Sequence, residues 1–258
     1  MEEARGDDLV PRRSLGEFVG SLGAAGEPIG RFAARSRRAW YIRDVKFLDA
    51  AARTAFGQAI AAIEQASAVE VVVAVRRCSA SYRHVNVAIG AVVAIAGLAV
   101  MLFSDHVFAL SSILVDPFVL GGLAGAFVEL LPDVKRRATP AAIRDRTVLQ
   151  AARATFVERG VHNTRDRSGI LIYVSWLERR VVLVSDSGVA RRFMAEAHHR
   201  AEQALTEAIR HGGAAVARAL EGLAPALAAA MPRRSDDINE LPDAIDSDLD
   251  RRDRGMTP

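Results

Sequence analysis

Two long apolar runs occupy the middle of the chain. Asn86 to Phe103 (NVAIGAVVAIAGLAVMLF) carries no charge over about 18 residues, which as a helix is ~27 Å, close to the hydrocarbon thickness of a bilayer. After Ser104-Asp105-His106 a second run extends from Val107 to Leu131, broken by Asp116-Pro117, with Glu129 near its end. It starts either before Asp116, with Pro117 kinking a longer helix, or only after the proline. The expected place for Asp116 is an interfacial loop. A position inside the membrane would instead mark an ion path, the basis of a small-channel reading that also uses Glu129. Helices apolar on all sides need lipid or a large core, and nothing else in the chain could supply that core. The pattern therefore predicts a transmembrane hairpin over residues 85–132.

Shorter patterns flank the hairpin. Asp49 is placed to N-cap a helix reaching about Ala66, with Phe56, Ile60 and Ile63 at helical spacing. Val69–Val75 (VEVVVAV) is short, β-branched and almost wholly apolar, as a buried strand is. Beyond the hairpin, Thr139 and Pro140 form an N-cap and N1 pair for a helix running to Arg159, where Gly160 can end it. Gly169–Ser175 (GILIYVS) and Arg180–Ser185 (RVVLVS) are strands joined by so few residues that they must pair antiparallel. Ala190–His211 and Ala214–Met231 read as amphipathic helices split by Gly212-Gly213. A lone strand is not stable, so Val69–Val75 should pair with the later two, and the hairpin becomes an insertion into one α/β layer domain. The parts are then a flexible basic segment (1–38), two halves of the domain (39–84 and 133–234) around the hairpin (85–132), and an acidic tail (235–258).

Charge fixes the expected orientation. Arg76, Arg77 and Arg83 precede the first span, and Lys135, Arg136, Arg137, Arg144 and Arg146 follow the second. The turn between the spans has neither Lys nor Arg, so both termini and the domain are expected on the cytoplasmic side of the inner membrane. Strand Val69–Val75 would then run toward the bilayer, and the turn with Trp176, Leu177, Arg179 and Arg180 would meet headgroups. Gly121 and Gly125 form GxxxG, and Gly90, Ala94 and Gly97 line the first span. They are expected to pack the hairpin on itself, with homo-oligomer formation as the other use.

Composition narrows the chemistry. The 34 basic and 31 acidic residues give a net +3, but eight acids and three arginines lie beyond Arg234, leaving +8 on the rest. An anionic membrane surface suits that excess, and the aromatic-bearing basic stretch Arg31 to Arg43 is read as lipid-associated or a solvated linker rather than nucleic-acid binding. The single cysteine, Cys78, excludes a disulfide framework and a thiolate-rich zinc site. No aspartate phosphoryl-transfer motif, Cys-x5-Arg loop, phosphate loop, HExxH or GxSxG occurs, and no organic cofactor is expected. His198 and Glu202 share a helix face but lack a second histidine at that spacing.

The strand order brings Glu70, Asp166 and Asp186 to the edge of the sheet away from the membrane. Hard cations need several oxygen ligands at once, so these carboxylates are candidate ligands for Ca²⁺ or another divalent cation. The alternative is that each caps a turn or meets an arginine.

Three segments also resemble a known family. Glu64 to Val73 (EQASAVEVVV) is similar to the first helix-to-strand junction of TPM domains. Thr164 to Val174 (TRDRSGILIYV) with Glu178 to Val189 (ERRVVLVSDSGV) resembles that family's central strand pair. Asp236 to Asp243 (DDINELPD) is like the tail of its bacterial membrane branch, in which two spans interrupt the domain. The resemblance covers roughly residues 47–243. It implies an α/β/α sandwich around a small mixed sheet, and a diverse family of photosystem-repair proteins, a receptor auxiliary subunit, acid phosphatases and divalent-cation binders. Asp166 and Asp186 fall within its strand-pair motif. The function expected is a non-catalytic interaction or quality-control adaptor held in the lipid bilayer and bound to an unidentified protein partner. The alternative is a metal-dependent acid phosphatase of low specificity.

Overall fold

The computed structural model describes residues 47–235, 238–242 and 244–249. The basic stretch at 31–43, Asp236, Asp237 and Asp243 lie outside these. In chain order the elements are α1 (Ala50–Ala66), β1 (Glu70–Arg76), α2 (Arg83–Phe103), α3 (Leu110–Val128), α4 (Pro132–Ala138) and α5 (Ala141–Glu158). There follow β2 (Gly169–Ser175), β3 (Arg180–Ser185), α6 (Ser187–Ala190), α7 (Ala195–Ala208), α8 (Gly213–Glu221), α9 (Ala224–Ala230) and β4 (Asp246–Ser247). The chain forms two compact units, one holding Arg83–Leu131 and the other holding the described parts of Ala39–Tyr82 and Pro132–Pro258.

The larger unit is an α/β fold with a small mixed sheet in the order β3-β2-β1-β4. β1 and β2 run parallel from Glu70↔Gly169 to Arg76↔Ser175, and β3 returns antiparallel to β2. Alternation splits the sheet's side chains between two faces. Val71, Val73, Val75, Ile170, Ile172 and Val174 pack with Phe56, Ile60 and Ile63 of α1, Leu205 of α7, and Val216 and Leu220 of α8. Val72, Ala74, Leu171 and Tyr173 pack on the other face against Val148 and Ala152 of α5. Apolar residues on both faces of β1 and β2 explain why neither strand shows polar alternation in sequence. Each fully buried Val, Leu or Ile among them stabilises the fold by ~1.5–3 kcal/mol.

Several local expectations change in detail. Asp49 does cap α1, its carboxylate accepting from Ala52 N at 2.8 Å. Thr139 does not cap α5: Pro140 holds that place without a side-chain bond, and Thr139 Oγ1 donates back to Lys135 O at 2.9 Å. Gly160 ends α5 with φ +64°, a left-handed conformation that costs glycine little. The helix expected from Ala190 is split, because Asp186 accepts from Ser187 N and starts the short α6 earlier.

The largest difference is within residues 235–258, which the sequence reading treats as an acidic tail without elements of its own. Asp246–Ser247 forms β4, parallel to β1 at Ala74 and Val75. Leu249 and Ile245 join the core on one face of the sheet and Leu241 that on the other.

The smaller unit is a pair of helices of 21 and 19 residues, long and apolar enough to cross a membrane. A core helix would be mostly buried, whereas here Ile95, Leu114 and Phe118 are 68%, 68% and 71% exposed. α3 is continuous through Pro117, so Asp116 lies within the helix and not in a loop. The two backbones nearly touch. A Cβ on Gly121 would stand 2.5 Å from Gly90 O, and one on Gly125 would stand 2.9 Å from Asn86 O. Both glycines of the GxxxG motif are thus used within the pair, and Asn86 Nδ2 donates to Glu129 Oε2 at 2.5 Å.

Candidate functional site

The sheet has two chemically different ends. At the start of β1 and β2, Glu70 lies beside Gly169 in register, and Asp186 N donates to Gly169 O at 2.9 Å. Two of the expected carboxylates therefore flank one residue, but their side chains have separate uses. Glu70 is buried and its Oε2 accepts from Leu241 N at 3.4 Å. Asp186 Oδ1 accepts from Ser187 N at 2.6 Å, while Oδ2 is buried, accepts no hydrogen bond among the described residues and lies 3.9 Å from Arg167 Nη1. Asp166 is half exposed, with Arg234 Nη1 3.9 Å from its Oδ2. The backbone here is tightly packed: a Cβ on Gly188 would stand 2.3 Å from Asp166 O. Among the described residues no group of three or more His, Cys, Asp and Glu side chains is placed to hold a metal. Asp186 Oδ2 and the neighbouring Ser185 Oγ are buried side-chain oxygens that make no hydrogen bond among the described residues, fewer than the six to eight oxygens that Ca²⁺ takes.

The other end, where β1 and β2 finish, holds a cluster that sequence reasoning missed. Glu178, in the β2–β3 turn, is buried. Its Oε1 accepts from Tyr82 Oη at 2.6 Å and Ser79 N at 3.0 Å, and its Oε2 accepts from Ser175 Oγ at 2.5 Å. Ser79 Oγ lies 2.7 Å from Ser175 Oγ and 3.3 Å from Tyr173 Oη. One carboxylate thus ties the chain leaving β1 to the turn leaving β2. Backbone bonds extend the tie, from Trp176 N to Arg76 O and Leu177 N to Arg77 O, each 2.9 Å. Burial and the hydrogen bond to Glu178 push Tyr82 well above the usual tyrosine range. Burial likewise raises Tyr173. Cys78 is exposed between partly buried neighbours, and partial burial of its thiol, then the nearby Glu178 and Asp248, raise its pKa, opposite to what a reactive thiolate needs. Trp176, expected at a membrane surface, stacks at 4.6 Å on Phe47 in the core.

The sheet's side edges are also committed. On β3, Glu202 Oε1 accepts from Leu183 N at 2.8 Å and Thr206 Oγ1 from Val181 N at 3.2 Å, so α7 covers backbone groups that an edge strand leaves open. That use of Glu202 accounts for the His198/Glu202 spacing. On the opposite edge Asp246 pairs with Arg76 and, at 2.5 Å, with Arg159, while Asp248 Oδ1 accepts from Arg77 N at 2.8 Å. No short motif could reveal these arrangements, because their members lie up to 171 residues apart.

No family model matches this chain. No curated protein matches it either. A solved structure, the NMR structure of BA42 protein from the psychrophilic bacterium Bizionia argentinensis, is similar over 78% of this chain and 95% of that one, with 18% identity and a TM-score of 0.47.

Proposed function

We propose that this chain is a membrane protein whose α2–α3 hairpin crosses the bilayer twice and holds a TPM-like α/β/α domain on the cytoplasmic side, where it binds a protein partner without catalysing a reaction. The observation that carries the reading is the exposure of α2 and α3: two helices apolar around their circumference, with large side chains such as Val92, Ile95, Leu114 and Phe118 open to the surroundings. Water would make that surface costly at about 25 cal/mol per Å², and lipid removes the cost. The lysine and arginines after α3, and their absence between the helices, support the cytoplasmic side. The adaptor part is supported by how the polar groups at the sheet's ends are used: Glu70, Glu178 and Asp186 accept bonds that fix turns and strand exits.

Alkaline carbonate extraction of cell membranes tests the anchor. The full chain should stay in the membrane pellet, and a variant with residues 84–131 replaced by a Gly/Ser linker should be released. A full chain extracted by carbonate would refute the spans. Cysteine labelling in a Cys78→Ser background checks orientation at Ala154→Cys, an exposed position, since Ser168 is buried. Reaction with a membrane-impermeant reagent in intact cells would place the domain outside. For the adaptor, phosphomonoester hydrolysis with Ca²⁺, Mg²⁺ or Mn²⁺ should be absent. Turnover lost in both Asp166→Ala and Asp186→Ala would replace the adaptor with the phosphatase.

A further inference from the structure

The edge of the sheet at β1 is covered by residues near the C-terminus, and only in part. β4 pairs with Ala74 and Val75, two of the seven residues of β1. Nearer the start of β1 no strand among the described residues lies on that side, and Val71 N donates to Glu64 Oε1 at 3.2 Å. Contacts of three kinds hold β4. Asp248 N donates to Val75 O at 3.3 Å, and Arg77 N donates to Asp248 Oδ1 at 2.8 Å. Arg76 Nη1 donates to Asp246 O at 2.8 Å, and the guanidinium groups of Arg76 and Arg159 meet on Asp246 Oδ2. Leu249, 6% exposed, joins the same core as Val73 and Val75.

Backbone pairing, a charged clamp and an apolar anchor are together what a sheet edge uses to hold an extended peptide. Arg76 and Arg159 come from separate elements, and neither has another carboxylate partner among the described residues. Without β4, two guanidinium groups would face one vacant carboxylate position beside an open run of backbone donors and acceptors. That combination selects an extended acidic segment over a neutral or basic one. A pairing of two residues is also short, and such elements open locally ahead of the rest of a fold. We propose that the edge of β1, with Arg76, Arg159 and the seat of Leu249, is the docking surface for a protein partner that supplies an extended segment of the pattern acidic, any, acidic, apolar. Asp246 to Leu249 (DSDL) is then a self-ligand that covers the surface. This rests on the reading of the chain as a partner-binding protein and adds the surface and the partner's chemistry. Tethering gives the chain's own segment a high effective concentration, so the partner must bind more tightly or hold a second contact elsewhere.

The test uses the purified full chain in nanodiscs and a fluorescent peptide with the sequence of residues 244–249 (AIDSDL). Asp246→Ala combined with Leu249→Ala weakens the chain's own segment. The peptide should bind this variant at least about tenfold more tightly than the wild-type chain. It should also restore slow amide exchange at Arg77, whose N–H needs the Asp248 carboxylate or its substitute. Asparagine for both aspartates of the peptide should weaken binding roughly tenfold, as should Arg76→Gln or Arg159→Gln in the same background. Arg153→Gln removes a charge from an exposed position on α5 and should leave binding unchanged. If the double variant folds poorly, Asp246→Ala alone serves, since it keeps Leu249. Equal binding to wild type and variant, equal binding of a scrambled peptide, or no binding to either form overturns the surface. A concentration-dependent dimer held by exchanged segments overturns it too, by making a second copy the occupant. Phosphomonoester turnover would remove the adaptor itself whatever the peptide does, so the two failures are read separately.

Discussion

The two compact units reach close packing by opposite means. In the α/β unit, large side chains fill the space: Phe56, Ile60, Ile172, Leu205 and Leu220 are essentially inaccessible, and burial of their apolar surface drives the assembly. In the helical pair, side chains are removed from the contact so that Gly90, Gly121 and Gly125 bring backbone to backbone, and the large residues point away. The first strategy suits a unit whose exterior is water. The second suits one whose exterior is as apolar as its own side chains, where burying leucine gains little and backbone contact gains more.

The comparison can be broken first in the α/β unit. Glu178→Ala should cost roughly 3 kcal/mol or more, because Tyr82 Oη, Ser175 Oγ and Ser79 N lose their buried acceptor together. Chemical unfolding of the domain would read that loss, and SDS titration of helix pairing should not change. The reciprocal substitution is Gly121→Leu. It forces the helices apart at a cost of about 1–3 kcal/mol, seen in the SDS titration by circular dichroism. Gly122→Leu is its control, since a Cβ there meets nothing within 4 Å. Asp246→Ala should cost the α/β unit about 1 kcal/mol through the lost pairs with Arg76 and Arg159, and should expose the edge of β1 to faster amide exchange. The smallest effect is a pH dependence. Tyr82 and Tyr173 have raised pKa values in the folded chain, so the folded state holds protons that the unfolded state releases above about pH 10. In a Cys78→Ser background, which removes a thiol whose raised pKa would act from about pH 8.5, stability should be flat below pH ~10 and fall above it. Tyr82→Phe should be slightly less stable at neutral pH and should lose less on alkaline titration. An equally steep alkaline decline in that variant would remove Tyr82 as its source.

What sequence could show followed from contiguity. β1, β2 and β3 announce themselves as β-branched runs, and α2 and α3 as uncharged ones, since each signal lies within a single segment. β4 was illegible because its two residues, Asp246 and Ser247, are polar; long-range partners, Arg76 and Arg159, fix it in place. Asp116 was misplaced because the proline after it reads locally as a break, while a helix needs only to forgo one hydrogen bond there. At the rim, the sequence reading groups Glu70, Asp166 and Asp186, and in the structure Glu70 and Asp186 lie on either side of Gly169. Side-chain direction did not follow from it, and backbone N–H groups captured the carboxylates. The Glu178 cluster left no local signal at all.

The register of β1 with β2 also constrains how the chain can be made. Seven residue pairs join a strand that leaves the ribosome before the hairpin to one that leaves after it. Between those events β1 is an apolar ribbon with no partner, and the two helices emerge while it waits. If the helices insert as they appear, the halves can meet only when the number of crossings between them is even. A single failed crossing would strand β2 on the wrong side and leave β1 permanently unpaired. Insertion is then a checkpoint on folding: a completed sheet excludes the state in which only one of the two helices has gone through.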